Sequence, residues 1–152
     1  MISHTFKQKV YAHLVNHLLQ KNNQLQIQLN ELHQAVANET KSTVGDKYET
    51  ARAMLQIDIA NCNKQIQILS NEQIICSQID INKICNSVSL GCLLETNIGI
   101  FFVGVAAKKL IVDSTIINFI STEAPIYKVI KGLKINKNLI FNGNKIMILN
   151  IY

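Results

Sequence analysis

Apolar side chains at Phe6, Val10, Leu14, Leu18, Leu25, Leu29, Leu32 and Val36 recur at spacings of four, three or seven. That spacing lays them along one stripe of a helix over about residues 3–37. No Pro or Gly interrupts the stretch, and Ser3 or Thr5 is suited to cap its start. A stripe this narrow over so long a helix is the pattern of a coiled-coil seam, here roughly 50 Å long. A second pattern follows over about residues 46–78. Tyr48, Leu55, Cys62, Leu69 and Cys76 repeat every seven residues, Ile59 and Ile66 fill the interleaved positions, and Arg52 and Gln73 stand at the two ends of that row. A sustained heptad argues for packing on a partner helix, and the short connection makes the first helix the natural, antiparallel partner.

Between the two helices the chain turns polar, from Asn38 to Thr50. Gly45, the only glycine among the first ninety residues, permits a backbone reversal. Asp46 is placed as an N-cap with Glu49 as its capping-box partner three residues on. The stretch also holds Glu39, so the expected hairpin tip carries three acids.

Near residue 80 the period changes to that of strands. Val88–Glu95, Gly99–Val105, Lys109–Val112 and Ile116–Ile120 are short runs rich in Ile, Val, Leu and Phe, with turn residues at Asn97–Gly99 and Asp113–Ser114. Ser121–Pro125 reads as a helix start with Pro125 in its first turn, and Gly132 ends that helix at once. Leu139–Phe141 and Lys145–Ile151 flank Asn142-Gly143-Asn144 as a closing hairpin. The expected fold class is therefore α+β. An antiparallel two-helix hairpin over 1–78, with its tip at 38–50, precedes a small antiparallel sheet domain over 79–152 with one short helix.

Composition narrows the function classes. Hydrophobic residues make up 48% of the chain and charged residues 16%, with one Pro and no Trp, so the chain can bury an aliphatic core. The net charge of +5 is uneven: residues 1–78 hold seven basic against six acidic residues, and residues 79–152 hold eight against four. The excess in the second half suits either a solvated face or an acidic partner. Cys62 and Cys76 fall on the helical seam and read as small hydrophobes. The four cysteines contain no C-x-x-C pair, and nothing marks Cys85 or Cys92 as a nucleophile. His13 and His17 are four apart on one helix but lack the glutamate of an H-E-x-x-H site, and His4 and His33 are too distant to join them. Met1 leads directly into polar residues and no apolar run reaches the roughly 20 residues of a membrane span. The expected location is the cytoplasm, with reduced thiols and no membrane contact.

Two stretches carry a family resemblance. Gly45-Asp46-Lys47-Tyr48-Glu49-Thr50 is similar to the G-D-x-x-E-N tip of the GreA/GreB transcript-cleavage factors. Ala124-Pro125-Ile126-Tyr127-Lys128-Val129-Ile130-Lys131-Gly132-Leu133-Lys134 is similar to the S-P-[IL]-G-[RK]-A-[LI]-[IL]-G-K motif of that family's FKBP-like C-terminal domain. The layout of long hairpin and small α+β domain resembles the family over nearly the whole chain. Tyr127 stands where the family has Gly, and the first helix lacks the family's Arg-rich stretches. A second register matches Asp46–Arg52 to the family's A-E-Y-H-A-A-R and puts the two family acids on Lys41 and Val44.

The resemblance implies a factor that binds bacterial RNA polymerase as a monomer, reaching nascent RNA or DNA only indirectly. Its hairpin tip would enter the secondary channel. Asp46 and Glu49, with Glu39 in reserve, would help hold a magnesium ion shared with the polymerase, which then hydrolyses its own backtracked transcript. Such a factor is not an enzyme in its own right and has no intrinsic cofactor. Pro125, Lys128, Lys131 and Gly132 would lie in the partner-binding motif of the FKBP-like domain, read as a docking module rather than an isomerase. The alternatives are a polymerase-binding regulator that does not stimulate cleavage and a coiled-coil scaffold.

Overall fold

The computed structural model describes residues 2–39 and 45–152, with only the backbone at Glu39 and at Asp46, Lys47 and Tyr48. Helix α1 runs His4–Glu39 and helix α2 runs Asp46–Ser77. Ser3 caps α1 as its sequence suggests: Ser3 Oγ accepts the Phe6 N–H at 3.1 Å, and the Ser3 carbonyl accepts the Lys7 N–H at 3.0 Å. The strands are β1 Leu93–Thr96, β2 Gly99–Gly104, β3 Leu110–Val112, β4 Thr115–Ser121, β5 Asn138–Phe141 and β6 Asn144–Ile151, and the short helix α3 is Pro125–Ile130. The hairpin, the strand-rich second half and the single short helix match the expected α+β class.

The chain divides into two compact units, Met1–Asn16 with Ile74–Tyr152, and His17–Gln73. In the second of these the expected seam is present. Leu18, Leu25, Ile59, Cys62 and Leu69 are buried, while Gln28, Asp58 and Lys64 face solvent. The helices are antiparallel there. The Cys62 thiol donates to the Leu25 carbonyl at 3.4 Å, and Glu72, farther along α2, lies within electrostatic reach of Lys21 and His17, earlier on α1.

In the other unit the six strands form one sheet in the order β3-β4-β2-β1-β6-β5. Both faces of its centre are covered. Val103 joins Val88, Leu94, Tyr127, Ile130 and Ile148 in a core shared with α3. The neighbouring Phe102, fully buried, faces the other way and stacks against Tyr11 of α1 at 6.4 Å. Tyr11 also donates its hydroxyl proton to the Cys76 carbonyl at 2.9 Å. The turns follow sequence chemistry: Asn142 and Gly143 both adopt positive φ between β5 and β6, as a two-residue type I′ hairpin requires.

Three expectations need correction. The sheet is not antiparallel throughout, because β2 and β4 pair in parallel, Ile100 against Ile117 through Gly104 against Ser121. The chain leaves β2, forms β3 at the sheet edge, and reverses at Asp113–Ser114, both at positive φ, so that β4 inserts between them. Two reversals return the chain to its original direction, and strand periodicity carries no information on that order. The run Val88–Glu95 is a strand only from Leu93. Val88 instead exchanges backbone hydrogen bonds with the end of α3, Val88 N–H to the Leu133 carbonyl at 2.9 Å and Gly132 N–H to the Val88 carbonyl at 2.8 Å.

The third correction concerns the thiols. Cys62 and Cys76 are buried thiols, but Cys85 and Cys92 form a disulfide with Cα atoms 6.1 Å apart. The bend that joins them depends on Gly91. Its φ is +83°, and a Cβ there would lie 2.7 Å from Ile79 Cγ2.

Candidate functional site

The hairpin turn holds the first set of candidate residues. Gly45 has φ +109°, a conformation its lack of a side chain permits, and α2 begins at the next residue. Glu49 lies in the first turn of α2 and is exposed. A carboxylate there is favoured by the positive end of the helix dipole. It is also sterically open to a hard cation, and magnesium bound at protein sites commonly takes only one or two protein carboxylates. The side chains of Asp46 and Glu39 lie outside the described residues, as do Lys41 and Val44 entirely.

The second set lies on α3. Pro125 occupies the first turn, where its missing N–H removes no helical bond. Lys128 and Lys131 are exposed, as are Lys134 and Lys137 beyond the helix end. Gly132, at φ +79°, passes the chain out of the helix and donates its N–H to Val88. Tyr127 is buried in the sheet core. The α3 segment thus combines exposed lysines with a packed apolar side at Tyr127 and Ile130.

Other ionisable groups reach partners that sequence spacing did not suggest. Glu72 sits on the hairpin seam between Leu69 and Cys76, and its Oε2 is buried without a hydrogen-bond partner. Burial raises its carboxyl above the ordinary 4.5, against the opposing pull of Lys21 and His17. The folded state therefore holds the proton more tightly than the unfolded state. The penalty is absent below the unfolded value and grows as pH rises through the folded one. Glu72→Gln is expected to raise the thermal midpoint at pH ~7, by up to about 1 kcal/mol of stability, and to leave it unchanged at pH ~4. Melting curves at the two pH values check this, and equal shifts at both would contradict it.

Lys7 is the one lysine of α1 that is fully buried. Its ammonium donates to the Lys83 carbonyl at 2.9 Å and lies 3.7 Å from Cys85 Sγ. Burial lowers its proton affinity, Asp80 opposes that shift, and Lys83 adds to it. A sequence signal existed: Lys7 falls three residues before Val10 and seven before Leu14, on the seam itself. Close by, Lys9 and Asp113 form an exposed ion pair at 2.7 Å, and the hydrogen bond from Lys9 holds the Asp113 carboxyl below its usual range. Asp113 and Glu95 line a cleft of about 350 Å³ with Ile2, Phe6, Thr115 and Tyr152. His13 is exposed, and no group of three or more metal-ligating side chains occurs among the described residues. No described helix is long and apolar enough to cross a membrane.

Comparison with family models, with curated proteins and with solved structures returns no match for this chain.

Proposed function

We propose that the chain is a Gre-type factor that binds bacterial RNA polymerase and presents its hairpin turn to the polymerase active centre. The observation that carries this reading is the antiparallel pair α1/α2, with the exposed carboxylate of Glu49 in the first turn of α2 just after Gly45. A seam of Leu, Ile and Cys holds the pair in register, so the carboxylate sits on a stiff support. Asp46 and Glu49 would contribute oxygen ligands to a magnesium ion held jointly with the polymerase, and Glu39 is the reserve. In two-metal phosphoryl chemistry such an ion activates the attacking water or supports the leaving oxygen. The factor itself supplies position and charge, in a cytoplasmic setting. The FKBP-like reading of the sheet unit makes Pro125, Lys128, Lys131 and Gly132 part of a docking surface on the polymerase.

A second reading is favoured by the exposed apolar side chains Met54 and Ile57 on α2, 63% and 60% accessible. These suit contact with a protein, so a regulator that occupies the channel without promoting cleavage is the alternative. The test is binding of the purified chain to purified bacterial RNA polymerase, together with RNA cleavage in backtracked complexes. Binding with faster cleavage supports the first reading and binding alone supports the second. No binding, with a stable dimer in sedimentation, points to a scaffold and removes both.

A further inference from the structure

We propose that Cys85 and Cys92 form a thiol–disulfide exchange site for small disulfides of the glutathione class, in which Cys85 is the nucleophile, Lys7 stabilises its thiolate, and Cys92 is the resolving thiol. The inference rests on the unlike surroundings of the two sulfurs. Cys85 Sγ lies 3.7 Å from the buried Lys7 ammonium. Cys92 Sγ lies 3.4 Å from the Ser87 carbonyl and 3.2 Å from Ser89 Oγ. Once the pair is reduced, a neighbouring cation favours the anionic form of Cys85. A neighbouring carbonyl accepts a hydrogen bond only from the protonated form of Cys92. The Lys83 carbonyl also approaches Cys85 Sγ, at 3.9 Å, but it already accepts the Lys7 proton at 2.9 Å.

The lysine gains from the same arrangement. It is fully buried, and beside the disulfide its charge is met by the Lys83 carbonyl and the Asp80 carboxylate, with Lys83 opposing. A thiolate at Cys85 supplies a buried counter-charge that the disulfide cannot. Access is also unequal. Cys85 keeps 6% of its surface and is flanked by Ile84, 78% accessible, and the exposed Asn86, whereas Cys92 keeps none. An external reagent therefore meets Cys85 first.

The exchange balances without a bound cofactor. The Cys85 thiolate attacks one sulfur of RSSR, a Cys85–S–S–R bond forms, and RS⁻ leaves and takes up a proton. The Cys92 thiol then loses its proton to solvent and attacks Cys85 Sγ, forming the Cys85–Cys92 bond and expelling the second RS⁻. Two protein thiols are oxidised and RSSR is reduced to two RSH. An excess of RSH drives the reverse.

The test uses the full chain, reduced and then alkylated with iodoacetamide under native conditions from about pH 5 to about pH 10, with each cysteine read by peptide mass spectrometry. Cys85 is expected to react with a midpoint below the ordinary thiol value of about 8.5 and, near pH ~7, about ten-fold faster than in Lys7→Met. Lys7→Arg, which keeps the charge, is expected to retain the low midpoint. A wild-type midpoint at or above the ordinary value overturns the proposal even if Lys7→Met does not fold. Equal rates in wild type and a folded Lys7→Met do the same. In Cys92→Ser, oxidised glutathione is expected to leave a stable mixed disulfide on Cys85, and absence of that adduct also overturns the assignment.

Discussion

Converting Asp46 to Asn and Glu49 to Gln together is expected to reduce polymerase-driven cleavage of backtracked RNA by on the order of 100-fold, with binding to the polymerase unchanged. The size follows from removing charge aimed at a transition state, where the loss of a single positioned group lowers turnover by roughly 10²–10³. The amides keep the shape of the acids and retain a carbonyl oxygen that can still accept a helix N–H. The substitution therefore separates metal ligation from capping, which is worth only about 0.5–2 kcal/mol of helix stability. Single-turnover cleavage with each protein at matched occupancy is the measurement. Equal rates would leave the two acids with no role beyond the start of α2. No stimulation by the wild type, despite binding, would favour the register that aligns Lys41 and Val44 with the family acids.

Phe102→Ala is expected to lower stability by about 3–5 kcal/mol, the usual range for deleting a buried aromatic ring. Phe102 is fully buried at the centre of the sheet and its ring meets both Tyr11 and Phe119, with centroids 6.4 and 6.1 Å away. Its loss therefore opens a cavity between α1 and the sheet that no flexible neighbour fills. For a chain of this size the thermal midpoint should fall by roughly 10 °C. Ile140→Ala, at a side chain 73% accessible on the edge strand β5, should change it by less than about 0.5 kcal/mol. Calorimetry on the two variants decides the matter, and a small effect at Phe102 would mean that the centre of the sheet is not held by this ring.

The helices were legible because their stripes repeat. Leu14, Leu18, Leu25, Ile59, Cys62, Leu69 and Cys76 are buried where the spacing placed them, and Ser3 caps where its side chain suggested. The Asn142–Gly143 turn and Pro125 at the start of α3 were equally local signals. What failed was non-local. The parallel partnership of β2 with β4 depends on where β3 is laid down, and nothing in either strand records it. The seven-residue spacing of Cys85 and Cys92 looks no different from the seam spacing of Cys62, Leu69 and Cys76. The disulfide arises from turns around Gly91 that periodicity does not register.

The candidate site was legible unevenly. Glu49 is exposed in the first turn of α2, and Lys128, Lys131, Lys134 and Lys137 are exposed on and just beyond α3. A lysine on an apolar seam, as at Lys7, reads in sequence as an interruption. The Lys83 carbonyl, Cys85 and the Asp80 carboxylate together give its charge a reason to be there.

The strand order also bears on how the molecule is made. Strand β6 is an interior strand, sandwiched between β1 and β5, and Leu94 of β1 pairs with Ile151. During synthesis β1 must wait for residues 144–151 to leave the ribosome before its second edge is satisfied. Until then its unpaired N–H and C=O groups form an open template for other chains. Removing residues 144–151 would therefore unzip the middle of the sheet and release β5 with it, rather than trim a border.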